Sequence, residues 1–160
     1  MKPNSEVSPP QPDWADVSDL YAQFGPMVRI AHLLTGSVGV AEDVVQDAFL
    51  RVAPKYAQLD NPRGYLRTAV VNGCASHRRT AARRDEIRAR VAVAEPTFDA
   101  PVVEFFNGLK ALSDRQRAAI VLRYYLDLAD DDIAVILSCA PATVRVLIRR
   151  ALARLRKVIT

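Results

Sequence analysis

Cysteine is scarce in this chain: two in 160 residues, Cys74 and Cys139, neither in a CxxC pair. A disulfide framework would need more of them and an exported chain, so free thiols, buried or half-buried, are the expected state. Cys74 and His77 have a CxxH spacing, but no second pair completes a zinc ligand set, and no metal site is expected. Long apolar runs are missing too. No stretch approaches the 18 or so uncharged residues of a membrane span, which excludes membrane insertion by a helix. The first residues, MKPNSEVSPPQPDW, lack the apolar segment of a secretory signal and read as a disordered tail. A cytoplasmic address is the expectation. No glycine-rich phosphate loop occurs, and no sustained alternation of apolar and polar residues marks a strand.

What is present is apolar residue at helical spacing and arginine in blocks. Half the residues are apolar, enough for a packed core. The net charge is only +4, but its distribution is uneven. Residues 61–84 carry Arg63, Arg67, Arg78, Arg79, Arg83 and Arg84 with no acid, and residues 141–160 carry five arginines and Lys157, again with no acid. Acids gather elsewhere, at Glu42, Asp43 and Asp47 and at Asp127 and Asp130–Asp132. Solvated helix faces usually mix both signs, so two separate basic blocks point to two nucleic-acid contact surfaces.

The periodicity predicts an all-α protein. Leu20, Phe24, Met27, Val28, Ala31 and Leu34 mark one buried face, ended at Thr35-Gly36-Ser37. A second helix buries Val44, Val45, Ala48, Phe49 and Val52 and stops before Pro54. Asn61 caps a third with Pro62 at its first position, where the missing N–H costs nothing. That helix is expected to end near Asn72-Gly73, followed after a break by a short basic helix to about Arg90. Pro96 and Pro101 make residues 91–108 the expected flexible linker, with the start of the next helix as the alternative for Val102 to Phe106. The division is then a tail over 1–13, a helical domain over 14–90, the linker, and a second helical domain over 109–160 that opens with Ser113 as an N-cap.

The strongest local signal is DDDIAVILSCAPATVRVLIRRALARLRK, residues 130–157. A helix-turn-helix needs two short helices locked by a small apolar core. Ile133, Ala134, Leu137, Cys139 and Val144 have the required types at the required positions; only Ser138 departs, standing where a turn glycine is common. The second helix presents Thr143, Arg145, Arg149 and Arg150. From a recognition helix, arginine reads guanine edges and phosphates in the major groove.

Residues 112–156, with LRYY, IA, TV and RALARLR, resemble region 4 of extracytoplasmic-function sigma factors. LLTGSVGVAEDVVQDAFLRV and NPRGYLRTAVVN with Arg78-Arg79 resemble their region 2. The resemblance implies a non-enzymatic subunit of RNA polymerase that directs promoter-specific initiation without a cofactor. It assigns Asp43, Gln46 and Asp47 to the β′ clamp helices of core polymerase. Asn72 goes to the pocket for a flipped −10 base, against the alternative of a helix C-cap, since its amide offers a donor and an acceptor in one plane. Arg67, Arg78, Arg79, Arg83 and Arg84 would follow the −10 strand, and Thr143, Arg145, Arg149 and Arg150 the −35 duplex. Tyr65 could stack a base, but the family usually has a core aromatic there, so the core is its expected place. The β flap and an anti-sigma factor are the further partners implied. Val146-Leu147 replaces side chains that commonly face DNA in the family, so −35 reading should differ from the family norm. Two other readings stand beside this one: a sigma-like or helix-turn-helix regulator that modulates transcription without initiating it, and a nuclease using Asp130–Asp132 to hold metal. The three acids open a helix, where they complement its dipole, and no histidine lies near them in sequence, which argues against the nuclease.

Overall fold

The computed structural model describes residues 13–85 and 100–159, and among these every regular element is helical. The expected tail, but for Asp13, and residues 91–99 of the expected linker lie outside them.

The first group of helices starts with α1, Trp14–Ala22, and α2, Phe24–Thr35, where the periodicity predicts one continuous helix. Pro26 is the reason for the division. Lacking an N–H, it cannot donate back across Gln23, but it fits the first turn of a new helix, where donors are unpaired anyway. Gly36 stops α2 with φ 76°, a left-handed conformation that an L side chain rarely adopts. Ser37 caps α3, Val38–Val52, accepting from the Val40 N–H at 3.4 Å. Ala41, Val44, Val45, Ala48 and Val52 form its buried stripe, and Phe49 sits edge-on to Phe24. A 3-10 segment, Ala53–Gln58, leads to α4, Pro62–Asp85, whose Gly64 N–H donates to Asn61 Oδ1 at 3.0 Å as the cap expects.

α4 does not end at Asn72-Gly73. It runs on for 24 residues in all, without the break expected there. Gly73 serves a close approach: a Cβ on it would stand 2.9 Å from Val44 Cγ1. The glycine lets α4 cross α3 tightly, so it is a packing residue and no terminator.

The second group opens with α5, Ala100–Lys110, which takes up the latter part of the span expected as linker. Pro101 is no breaker there, because it falls in the first turn. Ser113 and Gln116 form a reciprocal capping box at the start of α6, Asp114–Ile120. The helix continues as a π turn over Val121–Tyr125, where the Leu126 N–H reaches back to the Val121 carbonyl at 3.3 Å. α7, Asp130–Leu137, and α8, Pro141–Ile159, complete the group. Ile133, Ala134 and Val144 are buried and Leu137 and Cys139 half-buried, the small core that a helix-turn-helix requires. Ser138 has φ 51°, which explains why glycine suits that position. Its strain is offset by two C-terminal bonds, Cys139 N–H to the Ala134 carbonyl (3.0 Å) and Ser138 N–H to the Val135 carbonyl (3.3 Å).

Candidate nucleic-acid interface

α8 presents its polar side outward because Val144, Ile148 and Ala151 recur on the buried side. Thr143, Arg145, Arg149 and Arg150 are all exposed near its start. Leu147 packs against the core, so it extends the apolar stripe, and the departure from the expected polar stretch has a structural cause. Arg145 is anchored on one side: its Nη1 lies 3.4 Å from Asp130 Oδ2. Asp130 Oδ1 in turn pairs with Arg123, which also donates to the Leu128 carbonyl at 3.0 Å. Asp130 is therefore taken up by two guanidinium groups. Among the described residues, no group of three or more His, Cys, Asp or Glu side chains could hold a metal ion.

On α4 the basic residues divide. Arg79 is exposed, and Asn72 is exposed in mid-helix, so the C-cap alternative for Asn72 falls. Arg67 is half-buried, and its Nε is enclosed without a hydrogen-bond partner among the described residues. Arg78 turns inward, its Nη1 donating to the Leu34 carbonyl (3.2 Å) and its Nε pairing with Asp114 (2.7 Å). Arg83 and Arg84 lie on the last turns of the helix. Asn72, Arg78 and Arg79 line a cavity of about 300 Å³, closed from the other side by Arg115, Ile136 and Leu137. Burial beside this cavity pushes the Cys74 thiol up to about 12, which makes it inert as a nucleophile at neutral pH.

Asp43, Gln46 and Asp47 are exposed together on α3, opposite Val44, Val45 and Ala48. Tyr65 corrects the sequence reading. It is 43% exposed, stands outside the core, and lies under the Lys55 ammonium, 4.5 Å from the ring centroid.

Two polar clusters escaped the sequence reading. Asp19 accepts from both Arg63 and the Tyr56 hydroxyl. The Arg63 hydrogen bond first, then that of Tyr56, holds the Asp19 carboxyl below its usual range. Burial, with the Asp19 hydrogen bond second, raises the Tyr56 phenol to about 12. The second cluster centres on Arg117, only 2% exposed, which donates to the carbonyls of Leu109, Lys110, Leu112 and Leu34. Burial is the main reason its guanidinium holds its proton less firmly than usual. Its signals in the sequence were an arginine at an apolar-facing position of α6 and its fixed place five residues after Leu112, as in the region 4 pattern.

Comparison with known proteins fits this geometry. Residues 20–84 match the family model described as sigma-70 region 2, and residues 106–155 match that of sigma-70 region 4. The chain is 30% identical over 165 residues to the ECF RNA polymerase sigma factor SigJ of Mycobacterium tuberculosis, covering 91% of this chain and 50% of that protein. It is 27% identical to the RNA polymerase sigma-E factor of Streptomyces coelicolor, covering 82% and 78% respectively. It thus spans about half the length of SigJ and over three quarters of that sigma-E factor. Among solved structures, the sigma factor RpoE of Bartonella quintana, crystallised with the anti-sigma factor NepR, superimposes with a TM-score of 0.76 at 25% identity, over 89% of this chain and 95% of that one. The crystal structure of SigJ gives a TM-score of 0.64 at 26% identity, over 90% and 53%. With both region models matched in order over this all-helical fold, the chain belongs to the sigma-70 family, in its extracytoplasmic-function group.

Proposed function

We propose that this chain is a promoter-recognition subunit of RNA polymerase that works as two modules. The observation that carries the reading is the pair of basic helices, α4 and α8, without an acid over residues 62–84 and 141–159, each offering polar side chains outward from an apolar opposite face. On α4, Asn72 receives a base flipped from the −10 element, and Arg79, with Arg67, Arg83 and Arg84, follows the parted strand. On α8, Thr143 and Arg145 meet −35 base edges while Arg149 and Arg150 hold phosphate. Asp43, Gln46 and Asp47 dock on the clamp helices of core polymerase, and the second module also engages the β flap. Strand opening draws on the free energy of binding single-stranded DNA, so the chain needs neither catalysis nor a cofactor. Transcription initiation of this kind belongs to the cytoplasm, and no described helix is long and apolar enough to cross a membrane. RpoE was crystallised with an anti-sigma factor, and such a protein is a candidate partner here as well.

Transcription in vitro from a promoter library by core polymerase plus this chain tests the reading. Specific transcripts are expected, together with their loss when Asp43 and Asp47 are both reversed to Lys. Duplex binding without any transcript would overturn it in favour of a sigma-like regulator that modulates transcription without initiating it. The packing of Leu147 into the core favours that second reading, since it removes one DNA-facing side chain from α8.

A further inference from the structure

Among the contacts between the two groups of helices, one polar cluster gathers around a single backbone atom. Gly36 ends α2 in the left-handed conformation, so the Leu34 carbonyl lies among the last-turn acceptors that have no helical N–H to pair with. Such carbonyls carry partial negative charge. Two arginines donate to this one from opposite sides of the contact, Arg78 Nη1 at 3.2 Å from α4 and Arg117 Nη1 at 3.0 Å from α6. Two guanidinium groups around one oxygen repel each other. Asp114 relieves the repulsion, with its Oδ1 2.7 Å from Arg78 Nε and 3.4 Å from Arg117 Nη1.

The cluster is asymmetric. Arg117 is held within the second group by the carbonyls of Leu109, Lys110 and Leu112, and these bonds survive separation. The Arg78–Asp114 pair and the Arg117–Leu34 bond do not, whereas the Arg78–Leu34 bond lies within the first group. Arg78 and Asp114 are partly open to solvent, 34% and 47% exposed, so the pair is weak enough to exchange. Behind it lies the cavity in which Asn72 and Arg79 face Arg115, Ile136 and Leu137. A strand laid along that face of α4 would have to occupy space that those three side chains fill.

We propose that the free chain holds itself closed through a latch of Arg78, Asp114 and Arg117 on the Leu34 carbonyl, and that single-stranded DNA gains the Asn72–Arg79 face only when the latch opens. The occlusion rests on reading α4 as the single-strand face; the closure does not. Arg78 cannot serve Asp114 and a phosphate at once, so nucleic acid and the second group of helices compete for the same guanidinium.

The test uses the full chain carrying Asp114→Arg, with Asp132→Arg as a control of equal charge change on an exposed residue that belongs neither to the latch nor to the cavity lining. Small-angle scattering reports closure. Titration of a fluorescein-labelled pool of random 12-nucleotide single strands reports access. Asp114→Arg should raise the radius of gyration by roughly 3–5 Å above the control and tighten strand binding about tenfold, as expected if about nine-tenths of the chain is closed. Asp132→Arg should do neither. Asp114→Asn should move both readings the same way by less, which keeps the test alive if the charge reversal impairs folding by circular dichroism. An unchanged radius in both Asp114 variants, or an equal gain in the control, overturns the latch. A larger radius without tighter binding overturns the occlusion. Arg79→Ala in that opened background then settles what else falls: a loss of strand binding keeps α4 as the strand face, and no loss removes that reading too.

Discussion

α4 and α8 are alike on paper and unlike in use. Both are long, with 24 and 19 residues, and neither has an acid between residues 62 and 84 or 141 and 159. Yet α4 spends much of its arginine on structure. Arg63 ties to Asp19, Arg78 to Leu34 and Asp114, and Arg67 tucks its Nε inward, leaving Arg79 exposed. α8 turns Arg145, Arg149, Arg150 and Arg154 to solvent, and Arg145 is tethered by Asp130. The cause is the surroundings. α4 crosses α2 and α3 and meets the second group of helices through Arg78 and Asp114, so it has neighbours on several sides. α8 has its own group along one stripe and water along the rest. A basic run in sequence thus measures charge, and packing decides how much of that charge is free to meet a phosphate.

The sharpest way to break the comparison is at Arg117, where the structural use of arginine is most complete. Arg117→Ala should cost about 3 kcal/mol in urea unfolding, because several buried carbonyls lose their donor together. A loss no larger than that of Arg149→Ala, within about 0.5 kcal/mol for an exposed site, would erase the distinction. Gly73→Ala comes next and turns on sign. The close approach to Val44 predicts a destabilisation of about 1–3 kcal/mol from overpacking. An unconstrained helical glycine would instead gain about 1 kcal/mol.

At the DNA, Arg145→Ala should lose about 1–3 kcal/mol of discrimination at one or two duplex positions. Arg79→Ala should weaken binding to every sequence and lower the salt slope by about 1. Equal, sequence-independent losses would make α4 and α8 the same kind of surface after all. Asn72→Ala should impair opening, seen as lost permanganate reactivity, by about 1–2 kcal/mol. Its melting temperature should not move, since the side chain is exposed in mid-helix. The smallest effect belongs to Asp19. Its folded carboxyl titrates below the ordinary 3.8, so its contribution is present above that pH and lost as pH falls through the folded value. Thermal melts from pH 5 down to pH 2 should show Asp19→Asn losing less on acidification than the parent.

The sequence alone determined the helical class, the helix-turn-helix and the placing of most caps. Those features are local or periodic. A stripe such as Val44, Val45, Ala48 and Val52 must be buried on any helix that carries it, and Asn61-Pro62 and Ser113 with Gln116 act within four residues of chain. The order of the two matched regions was legible for the same reason, since motif spacing is a property of the chain. Only the tertiary structure decided that Gly73 packs where a break was expected, that Tyr65 stays outside the core, and that Arg78 turns inward. It alone brought Arg117, Asp114 and Leu34 together, across 83 residues of sequence in the longest bond. These outcomes depend on which surfaces meet, and burial converts an arginine from a solvated charge into a donor that must find acceptors, wherever the fold has left carbonyls unpaired.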